Sequence, residues 1–285
     1  MKINTISSTS ADFPDILQTI PDVPKQLFYV GNRDILGKGV AVAIVGTRKP
    51  TAYGRDVTTK LAEGLARRGV TIVSGLALGV DGLAHQGALT VGGATLAVLG
   101  NGLDTIYPSS HRQLAEAIIR SNGTLVSEYA PGTPSLPHQF LARNRIVSGL
   151  SSAVIVTEAA AKSGTMNTVM HALAQGRDVY AVPGNISSPM SAGCNKLIEQ
   201  GATPIVDIEA FIEQITPKEA ALSQPLLLAQ TTEEQTILDL IQSGVNDGDE
   251  LQVKSKLSAT AYATTMTMLE LRGVIRALGA NLWSL

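Results

Sequence analysis

Apolar and polar positions alternate along the chain in two rhythms. From Val40 to Val45 an unbroken apolar run reads as a strand covered on both faces. Residues 54–68 follow with helical spacing (Val57, Leu61, Leu65) and stop at Gly69. The alternation continues with strand 70–73, helix 81–89, strand 94–99, helix 110–120 and strand 124–127. After a proline-rich loop come helix 141–149, strand 153–156, helix 165–175, strand 179–182, helix 192–199, a short strand near 204–206 and helix 208–215. Strands alternating with helices imply right-handed crossovers and a doubly wound parallel sheet.

The ends of the chain differ. Residues 1–37 are polar and broken by Pro14, Pro21 and Pro24, and read as an extended lead-in with one short amphipathic piece. The first domain is therefore expected over 38–215, with a linker over 216–231. Over 232–285 the pattern predicts helices 233–243, 250–256 and 260–272, then a hairpin from Val274–Leu278 and Asn281–Leu285, an arrangement that resembles a winged helix.

Composition narrows the possibilities. In 285 residues, 44% are hydrophobic and 16% charged, and the net charge is −2, so no global field draws a polyanion. Across 40–215 thirteen basic residues face twelve acidic ones, which makes local clustering decisive. The single Cys194 excludes an internal disulfide and fits a reducing cytosol. No signal peptide or membrane span is expected, and His85, His111, His138 and His171 show no metal-binding spacing.

In a parallel sheet, ligands bind beyond the carboxyl ends of the strands. Gly46-Thr47-Arg48-Lys49 follows the first strand, with a glycine for close backbone approach and two cations at the crevice. It is neither G-x-G-x-x-G nor a Walker loop, so a dinucleotide fingerprint is absent. Residues 74–85 place Asp81 and His85 four apart on one helix face. An acid–base dyad and a scaffold histidine are both compatible with that spacing, and the scaffold is favoured because no third group is placed. Lys162-Ser163-Gly164-Thr165 opens a helix, where N-capping by Ser163 and a phosphate seat use the same geometry. Ser191–Lys196 begins another helix. Cys194 has no assigned base and reads as a small buried thiol. Phe140, Arg143 and Arg145 put a ring and two guanidinium groups within six residues, a pattern that suits base stacking with phosphate neutralisation. Two residues apart on a helix, the arginines point about 200° from each other, so one is expected to anchor the fold on a carboxylate.

Eight ordered blocks resemble the DNA-processing protein A (DprA/Smf) family: VAIVGTRKPTAYG, SGLALGVDGLAH, LAVLGNGLDTIYP, LVSEYAPGT, FLARNRIVSGL, SGTMNT, GRDVYAVPGNI and SAGCNKLIEQGA, between Leu27 and Asp207. The resemblance implies an extended Rossmann fold with a winged-helix extension. It implies a cytoplasmic single-stranded-DNA-binding recombination mediator that protects incoming strands in natural transformation. Such a protein helps load RecA recombinase onto strands coated by single-stranded-DNA-binding protein. It dimerises through the Rossmann domain and has no cofactor or enzymatic chemistry of its own. By position it makes Gly46, Arg48, Lys49, Phe140, Arg143, Arg145, Lys162, Ser163, Gly164, Thr165 and Lys196 candidate DNA contacts. Three departures stand out. Leu78 replaces a common Arg or Lys, Asn167 is a polar newcomer, and the lead-in is too short for an N-terminal helical domain. The alternative is a Rossmann-fold enzyme such as a nucleoside-monophosphate phosphoribohydrolase, although the doubled-glycine P-G-G-x-G-T form is missing. In 231–285 seven acidic residues outnumber four basic ones, and Arg272 is the only cation expected on the recognition helix. That balance predicts a protein-contact or regulatory role rather than duplex reading.

Overall fold

The computed structural model describes residues 2–216, 231–271, 274–279 and 281–284. The chain divides into two units, Met1–Leu222 and Ser223–Leu285.

The first unit is built on a nine-stranded sheet. Its parallel part contains β3 (Ala41–Val45), β4 (Thr71–Ser74), β5 (Thr95–Leu99), β6 (Thr124–Ser127), β7 (Ala153–Val156), β8 (Asp178–Ala181) and the two-residue β9 (Thr203–Pro204). The connecting helices are α2 (Ala52–Arg67), α3 (Val80–Thr90), α4 (Arg112–Arg120), α5 (Pro137–Gly149), α6 (Thr165–Ala174), α7 (Ala192–Glu199) and α8 (Ile208–Ile215). Strands β3, β5 and β7 are buried at every position, because helices cover both faces of the sheet. Val42 and Ile44 pack with Leu61 and Leu65 of α2 and Ile212 of α8. Ala41, Ala43 and Val45 point the other way, toward Ile146 and Val147 of α5, Val169 of α6 and Leu197 of α7.

The polar lead-in belongs to this sheet, which corrects its reading as an appended segment. β1 (Asn4–Ser7) pairs antiparallel with β2 (Gln26–Gly31), and β2 pairs antiparallel with β6. Only Ile6 of β1 is buried, whereas Leu27, Phe28 and Val30 of β2 are. A strand with one inward apolar residue carries almost no period-two signal. The three prolines lie between β1 and β2, around the four-residue helix α1 (Asp15–Gln18).

The strand order is β1-β2-β6-β5-β4-β3-β7-β8-β9. The chain runs outward from β3 to β6, then returns to lay β7 on the other side of β3. The topological switch point therefore lies between the carboxyl ends of β3 and β7, where an open α/β sheet forms its crevice.

The second unit contains α9 (Thr232–Gln242), α10 (Gly248–Ser255), α11 (Ala259–Leu271) and a hairpin of β10 (Arg276–Gly279) and β11 (Leu282–Ser284). Ile237, Leu238, Leu251, Met266, Leu269 and Ile275 form its core. Thr231 caps α9 through Glu234 N, and Asp247 caps α10 through Asp249 N and Glu250 N. Three helices and a hairpin make it a winged helix. The linker 216–231, apart from its two end residues, and Arg272 lie outside the described residues.

Candidate functional site

A cleft of about 450 Å³ opens at the switch point, walled by the segments that follow β3, β4 and β7 and by α5. Gly46 is required at its edge, because a Cβ there would stand 2.7 Å from both Glu158 O and Val80 Cγ2. Thr47 N donates to Glu158 O (2.7 Å). Thr51 donates to the Glu158 carboxylate through both its N–H and its hydroxyl, each at 2.7 Å. Glu158 is 2% exposed, so a buried carboxylate organises the loop that carries Arg48 and Lys49. Sequence reasoning missed this role. The available signal was a carboxylate directly after a buried strand, the same kind of position as the cation loop.

The floor of the cleft holds two buried, opposite charges, Asp81 and Arg143, each hydrogen-bonded to the Gly75 backbone and not to the other. Asp81 Oδ2 accepts from Gly75 N (3.1 Å) and Ala77 N (3.3 Å). Arg143 Nη1 donates to Gly75 O (2.6 Å) and to Val98 O. Burial pushes the Asp81 carboxyl above its ordinary range, and the Arg143 guanidinium opposes that shift. Burial likewise lowers Arg143, and Asp81 opposes it. Arg143 lines the cleft but is 5% exposed, with its guanidinium committed to carbonyl oxygens. It shapes the floor; it is not a free cation at the rim.

Arg145, expected as a phosphate contact, points elsewhere. Its guanidinium pairs with Asp22 (2.7 Å) and Glu128 (2.6 Å), tying α5 to the lead-in and to the segment after β6. Those partners, Glu128 ahead of Asp22, raise its pKa against the effect of burial. Lys196 carries the same expectation. It pairs with Glu199 at 2.7 Å on the last turn of α7 and does not line the cleft. The i,i+3 spacing carries that signal in the sequence itself.

The remaining candidates converge. Phe140 is half-buried, lines the cleft and packs on Tyr107 with centroids 5.3 Å apart. Arg48 and Lys162 are exposed and line it on the segments that follow β3 and β7, together with Ser163, Gly164 and Thr165. Lys49 is exposed on the same loop as Arg48 without lining the cleft. The cap of α6 is Gly164, not Ser163; Ser163 Oγ instead accepts from Thr165 N (3.2 Å) and donates to Thr165 Oγ1 (2.9 Å). Among the described residues Arg48, Lys49 and Lys162 form no ion pair, whereas Lys60, Arg67, Arg120 and Lys196 each have a carboxylate partner on their own helix. Of the departures, Leu78 is 46% exposed, and Asn167 Oδ1 accepts from Asn144 Nδ2 (3.1 Å), joining α6 to α5.

No acid–base dyad forms. His85 Nδ1 pairs with Thr95 Oγ1 (2.7 Å), and Asp81 points to the Gly75–Ala77 backbone. Burial, reinforced by His111 and Arg143, holds the His85 imidazole down to about 3. The Cys194 thiol is buried and pushed up to about 12, chiefly by desolvation. Among the described residues no group of three or more His, Cys, Asp or Glu is gathered for a metal ion, and no helix is long and apolar enough to cross a membrane.

A mostly parallel, doubly wound sheet with a cation-rimmed cleft at its switch point, followed by a winged helix, defines a Rossmann-like α/β protein with an appended helical module. The chain belongs to the DNA recombination-mediator protein A family, which it matches over residues 4–216; residues 217–281 match the DprA winged helix domain. It is 42% identical over 223 residues to the DNA processing protein DprA of Bacillus subtilis (strain 168), covering 78% of this chain and 75% of that one. To protein Smf of Escherichia coli (strain K12) it is 41% identical over 254 residues, 83% of this chain and 68% of the relative. Two solved structures are similar. DprA from Streptococcus pneumoniae has a TM-score of 0.68 and 40% identity, over 79% of this chain and 75% of that one. DprA from Helicobacter pylori, a structure concerned with that protein's single-stranded DNA binding mode, has a TM-score of 0.69 and 36% identity, over 75% and 96%.

Proposed function

We propose that this chain is a single-stranded-DNA-binding recombination mediator without chemistry of its own. One observation carries the reading: Arg48 and Lys162, exposed and without an ion pair among the described residues, line the same cleft as the Phe140 ring. Phosphates meet cations that need no partner broken, and a base meets a π-face that accepts any sequence. The relative from Helicobacter pylori, whose structure concerns single-stranded DNA binding, supports the same assignment. By membership of the family, the protein protects incoming strands in natural transformation. It helps load RecA recombinase onto strands coated by single-stranded-DNA-binding protein, and it acts in the cytoplasm as a homodimer through the sheet unit. The acidic winged helix serves protein contact, and tight duplex binding by residues 231–285 would contradict that.

The test is affinity against salt for single-stranded and duplex oligonucleotides. Phe140→Ala should cost about 1–3 kcal/mol. Arg48→Ala and Lys162→Ala should each flatten the salt slope by about 0.7, the share of one phosphate on a single strand. Equal affinity for duplex, or slopes unchanged in both variants, would refute the reading. The enzyme alternative is less well supported, since His85 turns to Thr95 and the Cys194 thiol stays protonated. Release of free base from a nucleoside monophosphate would restore it.

A further inference from the structure

We infer that Tyr107 is a second stacking platform, so that the protein holds two successive bases, one on Phe140 in the cleft and the next on Tyr107 at its rim. The inference rests on the single-strand reading above. Gly100 directly follows β5 and has no Cβ, which would stand 2.9 Å from Phe140 Cδ1, and so lets the Phe140 ring lie over the strand end. Phe140 lines the cleft, and Tyr107 continues the aromatic surface outside it. The ring planes are tilted by 35° with centroids 5.3 Å apart. A base inserted between two rings needs about 7 Å, two carbon–carbon contacts of about 3.5 Å. Insertion between them is therefore closed, and the rings offer adjacent ledges instead.

Tyr107 is 48% exposed, and its hydroxyl makes no hydrogen bond among the described residues. Its backbone, by contrast, is firmly placed. Leu103 and Ile106 are buried on either side of a loop closed by Asn101 Nδ2 donating to Thr105 O (2.6 Å). That loop is stitched to the next strand end by Gly102 N to Thr133 O (3.0 Å) and Gly132 N to Asp104 Oδ1 (2.8 Å). On the far side, His111 Nδ1 lies 2.9 Å from Leu76 O. A large ring ordered by its backbone but half-bare loses little freedom when a base covers it. Arg112, exposed and without an ion pair among the described residues, opens α4 just beyond and supplies a cation for the phosphate of that base.

The test uses the full chain and short deoxythymidine oligomers. Tyr107→Leu should weaken binding roughly 5- to 150-fold, with Tyr107→Phe restoring it, since stacking needs the ring and not the hydroxyl. A single 2-aminopurine walked along the oligomer should be quenched at two adjacent positions by the wild type. Phe140→Leu should abolish one of these and Tyr107→Leu the other. Because Tyr107→Leu could disturb its loop, a single 5-iodouracil walked along the same oligomer and irradiated on the wild-type protein gives an independent reading. Cross-links should map to Phe140 at one position and to Tyr107 at its neighbour. Binding with quenching at one position and cross-links that never reach Tyr107 would overturn the two-ledge inference while leaving the function standing. Failure to bind single strands at all would overturn both.

Discussion

Replacing Arg143 by methionine tests whether its guanidinium is a fixed part of the cleft floor or a spare phosphate contact. Arg143 and Asp81 are 5% and 8% exposed, so the surface scale of about 0–1 kcal/mol does not apply. Removing Arg143 leaves the Gly75 and Val98 carbonyls without their donor and Asp81 without an offsetting charge, at about 1–3 kcal/mol for each buried group left unsatisfied and on the order of 3–5 kcal/mol in all. For a unit of this size that corresponds to a Tm lower by roughly 6–20 °C. Adding Asp81→Asn removes the stranded carboxylate while keeping an acceptor for Gly75 N and Ala77 N, so the double variant should recover, with a coupling of about 1–3 kcal/mol. The pH dependence has a definite sign. A buried carboxyl raised above its ordinary 3.8 is stabilising in its protonated form below that value, and this contribution is lost as pH rises through the folded value. Without Arg143 the folded value rises further, so the penalty of Arg143→Met should shrink as the pH is lowered. Urea unfolding by far-UV circular dichroism measures it. Strict additivity of the two substitutions, or a penalty independent of pH, would refute the reasoning.

Arg145→Met should destabilise the protein comparably, because it strands Glu128 and loosens Asp22, yet leave the salt slope of DNA binding unchanged; a flatter slope would return Arg145 to the phosphate contacts. Leu78→Lys should strengthen single-strand binding at low salt and steepen the slope by about 0.7. Residue 78 is exposed and precedes Gly79, where a Cβ would stand 2.7 Å from Arg48 Cα. His85 favours its neutral form in the folded state, so it contributes stability above pH 6.5 that is lost as pH falls from 6.5 toward about 3. Proton NMR of the ring should show no titration of His85 between pH 5 and 8, and a midpoint near 6.5 would contradict the burial argument.

The parallel strands were legible because each is covered on both faces and reads as a short continuous apolar run, as in Ala41–Val45 and Ala153–Val156. The cleft was legible as a place, since its loops follow strands and topology brings such loops together. Its chemistry was less so. Tyr107 shows nothing in sequence that sets it beside Phe140, and β1 is too polar to declare itself a strand. The helical period separates Arg143 from Arg145 but cannot name their destinations.

The sequence by itself thus determined the alternating α/β order, the winged-helix module and the set of loops from which a site had to be built. These follow from periodicity and from rules that act over a few residues. For the cations of the cleft loops and α5, tertiary structure decided which stay free. Arg145 is neutralised by Asp22, 123 positions earlier, and Arg143 is taken by the Val98 carbonyl, 45 positions earlier, whereas among the described residues no carboxylate pairs with Arg48 or Lys162. A guanidinium becomes a fold anchor or a DNA contact according to which acceptors the packed sheet brings within about 3 Å, and spacing along the chain does not encode that distance.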